Sequence, residues 1–143
     1  FKSGHLKIFN AGITTWKQNK MLGGGLRSFR INCDFKFNVY CAQHSHNYYI
    51  EILINTGVIG LLLFLAIGFI SLKNFLNFYF SHNLTLIQRC LLIPFFLVII
   101  SELMPIRSAG NFFSTFNSTI FFIFLAIVAN AKRANAIIGN LKL

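Results

Sequence analysis

The uncharged run Ile52–Leu72, ILINTGVIGLLLFLAIGFISL, follows without a break on His44-Ser45-His46-Asn47-Tyr48-Tyr49-Ile50-Glu51. At 1.5 Å per residue its 21 residues cover the roughly 30 Å hydrocarbon core of a bilayer. Working outward from it, the rest of the chain is also too apolar for an ordinary soluble domain, with 55% hydrophobic and 11% charged residues falling in long blocks rather than short amphipathic periods. The fold class these features predict is an all-α integral membrane protein.

Two further spans are expected. Arg89 and Glu102 bracket a short apolar core containing Pro94, so the span at 86–106 is kinked, short or packed against protein. The span at 112–131 ends at Lys132-Arg133, and Ser114, Thr115, Asn117, Ser118 and Thr119 make its first half polar, which places that half at a cavity. The chain thus divides into a loop region, 1–51, and a region of about three transmembrane helices, 52–143. It begins on Phe1 and enters directly on a polar stretch, so it reads as the C-terminal part of a longer protein whose N-terminal helices are missing.

The net charge is +10. Lys and Arg are dispersed, without the interleaved aromatic platform of a nucleic-acid binder, so the expected partners are the bilayer and phosphate-bearing lipid, with no nucleic acid. Lys73, Arg89, Lys132, Arg133 and Lys142 flank the spans on one side, which the positive-inside rule assigns to the cytoplasm and which leaves the His46 loop outside. That outer loop is itself basic. Cations on the wrong side point to an anionic substrate.

Within residues 1–51, Leu6, Phe9, Ile13 and Trp16 recur at helical spacing, so 4–20 is predicted to be an amphipathic helix on the membrane or on another part of the protein. Gly23-Gly24-Gly25 breaks it, as a turn or as a backbone cradle for an anion. Cys33 and Cys41 are either a short disulfide or two unrelated thiols, depending on the compartment they face.

At the mouth of the first span, Ser45 or Asn47 is suited to cap a helix whose unpaired N–H groups and dipole would attract a diphosphate. A neutral imidazole at His46 is suited to take a proton from a hydroxyl, although a lone interfacial histidine is more often an anchor. His44-x-His46 with Glu51 lacks further ligands at usable spacing, so no metal is expected. Gly57, Gly60 and Gly68 form a small-residue stripe that allows close packing against another helix.

His46-Asn47, nine residues, Gly57, two residues and Gly60 resembles the H-N-x9-G-x-x-G pattern of the O-antigen ligase and O-antigen polymerase family of bacterial envelope glycosyltransferases. Residues 4–29, with Gly23-Gly24-Gly25-Leu26-Arg27-Ser28-Phe29, are similar to the family's lead into its catalytic loop. Cys33 and Cys41 before the histidine resemble a variant among its polymerase-like members, and Pro105 to Phe113 is similar to the stretch before its last spans. The resemblance implies a many-helix protein of the bacterial inner membrane with a periplasmic active site and no metal or nucleotide cofactor. The implied donor is an undecaprenyl-diphosphate-linked glycan and the implied acceptor a hydroxyl of the lipid A core or of a growing polysaccharide.

Carried over by position, His46 would be the catalytic histidine, Asn47 would orient or cap it, and Arg30, Arg27 and Arg107 would face the diphosphate, Arg30 first. Gly57, Gly60, Cys33 and Cys41 would be structural. Where family members often carry an arginine after the small residues opening the amphipathic segment, this chain has His5, a weaker and pH-dependent phosphate ligand. The competing expectation is a non-enzymatic flippase or transporter segment whose basic loop meets anionic lipid, with only Arg89 and Glu102 to line a path.

Overall fold

The computed structural model describes residues 4–33, 45–81, 84–105, 110–133 and 136. Among them every regular element is helical: α1 (Gly4–Trp16), α2 (Ser28–Asn32), α3 (Tyr48–Ser81), α4 (Leu86–Glu102) and α5 (Thr115–Ala129). The chain forms two compact units, one from Phe1–Phe64 with Pro105–Ser118, the other from Leu65–Met104 with Thr119–Leu143.

In the first unit, α1 turns inward a face of small residues, Ala11, Gly12 and Thr15. Ala11 joins Phe29, Cys33 and Ile54 in a buried cluster, flanked by Ile8, Trp16 and Ile50. A Cβ on Gly12 would stand 2.6 Å from Ile50 Cγ2, so glycine is what lets α1 lie this close to Ile50. The predicted apolar stripe is therefore only partly what packs: Trp16 flanks the cluster, whereas Leu6 stays exposed. The helix also stops at Trp16 rather than Lys20, because the N–H groups of Gln18 and Asn19 donate to the Thr15 and Trp16 carbonyls in tight turns and the Trp16 Nε1–H reaches the Lys20 carbonyl at 3.0 Å.

The expected first span is longer than 52–72. α3 runs through Lys73, whose side chain is exposed, to bury Phe75 and Phe78, and it is interrupted at Gly57, where φ is 67° and ψ −169°. Residues 58–81 still measure roughly 36 Å at the helical rise, longer than a roughly 30 Å hydrocarbon core. This is the described helix that is long and apolar enough to cross a membrane, and Leu62, Leu63, Leu65, Ile67, Phe69 and Ile70 point their side chains outward.

In the second unit, a capping box starts α4: the Thr85 hydroxyl accepts from the Gln88 N–H and the Gln88 side chain accepts from the Thr85 N–H. α4 ends at Glu102, short of the expected 106, and contains Pro94. α5 starts within the first unit, where Ser114 caps it, its hydroxyl accepting from the Asn117 N–H at 3.3 Å, so that helix begins three residues later than predicted. At 17 and 15 residues, α4 and α5 are short for a perpendicular crossing. Phe75 stacks on Phe96 at 4.7 Å and Phe95 meets Phe124 at 5.8 Å, around buried Leu92, Ile99, Phe121, Leu125 and Val128.

Candidate functional site

The mouth of α3 is built by three consecutive residues. His46 takes the left-handed conformation, φ 55°, which histidine tolerates better than most non-glycine residues. The Ser45 hydroxyl donates to the Asn47 carbonyl at 3.0 Å. The chain is thereby turned so that Asn47 Oδ1 accepts from the Ile50 N–H at 3.2 Å, the third position of the helix, as an N-cap side chain does. Of the two cap residues that the sequence offers, Asn47 holds the position.

From that cap a polar stripe runs down α3. Asn47, Glu51 and Asn55 recur every four residues on one face and are only 5%, 4% and 5% exposed. Buried polar groups need partners, and each finds one on a different segment. Asn47 Nδ2 donates to the Pro105 carbonyl at 2.7 Å, Glu51 Oε2 accepts from the Phe112 N–H at 2.9 Å, and Asn55 Oδ1 accepts from the Ser28 N–H at 3.2 Å. Phe112 is fixed further by edge contacts with Tyr48 at 5.0 Å and Phe64 at 5.4 Å. The stripe thus ties Pro105, the 110–114 segment and the start of α2 to one helix face.

The stripe ends at the break in α3, where an exchange of backbone partners satisfies the N–H groups of Val58 and Ile59 and the carbonyls of Ile54 and Asn55. In an unbroken helix the N–H groups of Val58 and Ile59 would donate to the carbonyls of Ile54 and Asn55. Here they donate to Lys20 and Met21 at 3.0 and 3.3 Å, while those two carbonyls accept from Gly24 and Gly25 at 2.9 Å each. Gly57 has a conformation that glycine alone adopts readily, and the 20–25 turn fills the gap. Gly57 therefore packs against the glycine turn rather than extending a stripe toward another helix. Gly60 lies against the Thr56 side chain within α3. The amides of Gly23, Gly24 and Gly25 all donate to backbone carbonyls, so the triplet is a docking turn and not an anion cradle.

Between these segments the first unit encloses a cavity of about 320 Å³. Its polar wall consists of Arg27, Glu51, Asn55, Asn111, Ser114 and Thr115, and its apolar wall of Leu26, Phe29 and Phe113. Asn111 Oδ1 is buried without a hydrogen-bond partner. Among the described residues no three His, Cys, Asp or Glu side chains gather as a metal site.

Of the residues singled out from the sequence, Arg27 reaches the cavity, held in the left-handed region at φ 63° just before α2. Arg30 lies on α2 and is exposed, apart from the described cavity wall. His46 and Asn47 stand at the head of the stripe, more than a helical turn above Glu51. Cys33 is disulfide-bonded and buried in the core cluster, while Cys90 is free. Arg107, Cys41 and the His5 side chain lie outside the described residues. Ser114 and Thr115 meet the expectation of a cavity beside the polar half of the last span. Sequence reading passed over Asn55 and Asn111. For Asn55 a signal existed, a third polar residue at i+8 from Asn47 in an apolar run; for Asn111 none did, because its place depends on the Glu51–Phe112 hydrogen bond.

Searches among curated proteins and among solved structures returned no significant match. A family model does match, over a segment running from the start of α1 through His46 and both motif glycines to just past the break in α3. Residues 2–65 match the family model described as O-antigen ligase, and this similarity, over a little under half of the chain, supports membership of that family.

Proposed function

We propose that the chain carries the catalytic loop of an O-antigen ligase-like or polymerase-like glycosyltransferase in lipopolysaccharide biosynthesis, anchored in the bacterial inner membrane with the loop facing the periplasm. The observation that carries this reading is the family match over residues 2–65, which takes in a histidine that the fold sets at the mouth of an apolar helix. The donor is a glycan on an undecaprenyl-diphosphate carrier and the acceptor is a hydroxyl of the lipid A core or of a second glycan.

In the proposed step, the His46 imidazole accepts the proton of the acceptor hydroxyl. The acceptor oxygen then bonds to the anomeric carbon as the bond from that carbon to the carrier phosphate breaks, and the diphosphate departs with the electron pair. The developing negative charge needs donors and cations placed in advance. Arg27, beside the cavity, is the described candidate, with Arg30, Arg107 and His5 as further ones. Asn47 positions His46 by fixing the start of α3. The break in α3 is compatible with a membrane setting, because irregular backbone at membrane depth is tolerated where protein satisfies its polar groups, as residues 20–25 do here.

The experiment that separates transfer from flipping locates the lipid-linked glycan. In cells with full-length protein bearing His46→Ala, a lost transferase leaves that glycan on the periplasmic leaflet, open to added glycosidase. Accumulation on the cytoplasmic leaflet would instead identify a flippase.

A further inference from the structure

We propose that the turn over residues 17–22, with Ile31 beside it, enters the interfacial layer of the bilayer next to α3, Met21 and Leu22 meeting the upper acyl chains and Lys17 and Lys20 the phosphates of anionic phospholipid; this rests on the reading of α3 as a membrane span. The turn is fixed at the level where α3 changes surroundings. From Tyr48 to Val58 every residue of α3 is buried or half-buried, whereas Ile59, Leu62 and Leu63 are exposed. The N–H groups of Val58 and Ile59 donate to the carbonyls of Lys20 and Met21 at 3.0 and 3.3 Å, so Met21 is held at the height of the first exposed apolar residue of α3. A lipid-facing band that begins at Ile59 therefore has Met21 and Leu22 at its edge.

Those two side chains are 61% and 75% exposed. Ile31, brought alongside by the Gln18 Nε2–H donating to the Asn32 carbonyl at 3.3 Å, is 72% exposed. Large apolar side chains this open are stabilised by leaving water, and the charges among them select the partner. Lys17 and Lys20 are exposed and line an open hollow of about 400 Å³ with Met21 and Leu22, and residues 4–33 contain no Asp or Glu. Lysine is depleted from the cores of protein interfaces. At a bilayer it lays its stem along the apolar layer and lifts its ammonium group to the phosphates. An anionic lipid surface thus fits this turn better than a protein partner does. The membrane contact falls here rather than on the apolar stripe of α1, where Ile8 and Trp16 flank the protein core. Because the same turn fills the break in α3, its seating in lipid sets the height of the Asn47, Glu51 and Asn55 stripe above the hydrocarbon.

The test places a fluorescent maleimide on Met21→Cys, Leu22→Cys or Leu63→Cys of the purified full-length protein, in a background without other free thiols, Cys90→Ser included. The protein is held in nanodiscs of phosphatidylcholine, alone or with phosphatidylglycerol, and quenching by aqueous iodide and by nitroxide-labelled lipid is measured. At residues 21 and 22 the lipid nitroxide is expected to quench, and iodide quenching to fall about threefold or more below that of the free dye conjugate. Phosphatidylglycerol is expected to strengthen the lipid quenching, and Lys17→Gln with Lys20→Gln to remove that increment. Quenching at residues 21 and 22 by iodide alone, which marks a turn in water, would overturn the proposal. So would quenching by neither agent, which marks a turn covered by another protein segment or a second copy, and so would an effect of phosphatidylglycerol that is absent or survives the double substitution. Leu63→Cys keeps the two readings apart. Lipid quenching at residue 63 without it at 21 and 22 refutes the seated turn and leaves α3 a membrane span, whereas its absence at residue 63 refutes the span and the seated turn with it.

Discussion

Gly57 and Gly23 meet backbone to backbone: a Cβ added to Gly57 would lie 2.6 Å from the Gly23 nitrogen and in collision with the Met21 carbonyl, and a Cβ on Gly23 would strike the Asn55–Thr56 peptide. Two positive-φ glycines, at 67° and 71°, thus let a turn dock into a broken helix. Gly57→Ala and Gly23→Ala each combine backbone strain with a clash against main chain that cannot give way, and each is expected to cost about 2–4 kcal/mol. Gly25, with φ 86° and open space around its Cβ position, should tolerate alanine better, since strain acts there without the clash. Thermal unfolding in detergent checks the order, with Gly25→Ala the mildest of the three.

Asn47 performs two separable tasks. Asn47→Ala removes both the cap to Ile50 and the donor to Pro105, for an expected loss of about 1–3 kcal/mol. Asn47→Asp keeps the cap acceptor but sets a carboxylate against the Pro105 carbonyl, so it should retain helix content near wild type by circular dichroism while raising hydrogen exchange of the 110–114 segment. Equal exchange in wild type and Asn47→Asp would show that the contact with Pro105 does not hold that segment.

At Glu51 the same reasoning separates hydrogen bonding from charge. Glu51→Gln preserves an oxygen for the Phe112 N–H and should stay within about 1 kcal/mol of wild type, whereas Glu51→Leu strands that N–H in the interior and should cost about 1–3 kcal/mol. Denaturant unfolding of the three proteins side by side measures the difference.

Cys33 joins its disulfide to the cluster of Ala11, Phe29 and Ile54. Removing it by Cys33→Ser is expected to cost about 2–4 kcal/mol and to abolish the sensitivity of the melting temperature to reductant. Cys90→Ser, at a free exposed thiol, should change neither.

The helical class and the apolar length of α3 were legible in the sequence because both follow from runs of one residue type, and the cap at Asn47 was legible because capping is local chemistry. The break at Gly57 was not. A single glycine in an apolar run is compatible with an unbroken helix, and only the partner turn at 20–25, more than thirty residues away, shows where the freed N–H and carbonyl groups go. The face that α1 buries was hidden for a related reason: periodicity counts large apolar side chains, whereas close packing on Ile50 selects Ala11 and Gly12 for their smallness. The prominence given to Arg30 over Arg27 came from family resemblance, and the left-handed bend at Arg27, which brings that residue to the cavity, has no signature in the residue type.

The most direct test of the transferase reading is the rate of glycan transfer by purified full-length protein in liposomes supplied with lipid-diphosphate-linked glycan and acceptor, wild type against His46→Ala. If His46 is the base, as proposed, its loss is expected to slow transfer by about a hundredfold or more with the melting temperature unchanged; a folded His46→Ala protein that transfers glycan at the wild-type rate would contradict the proposed role of His46.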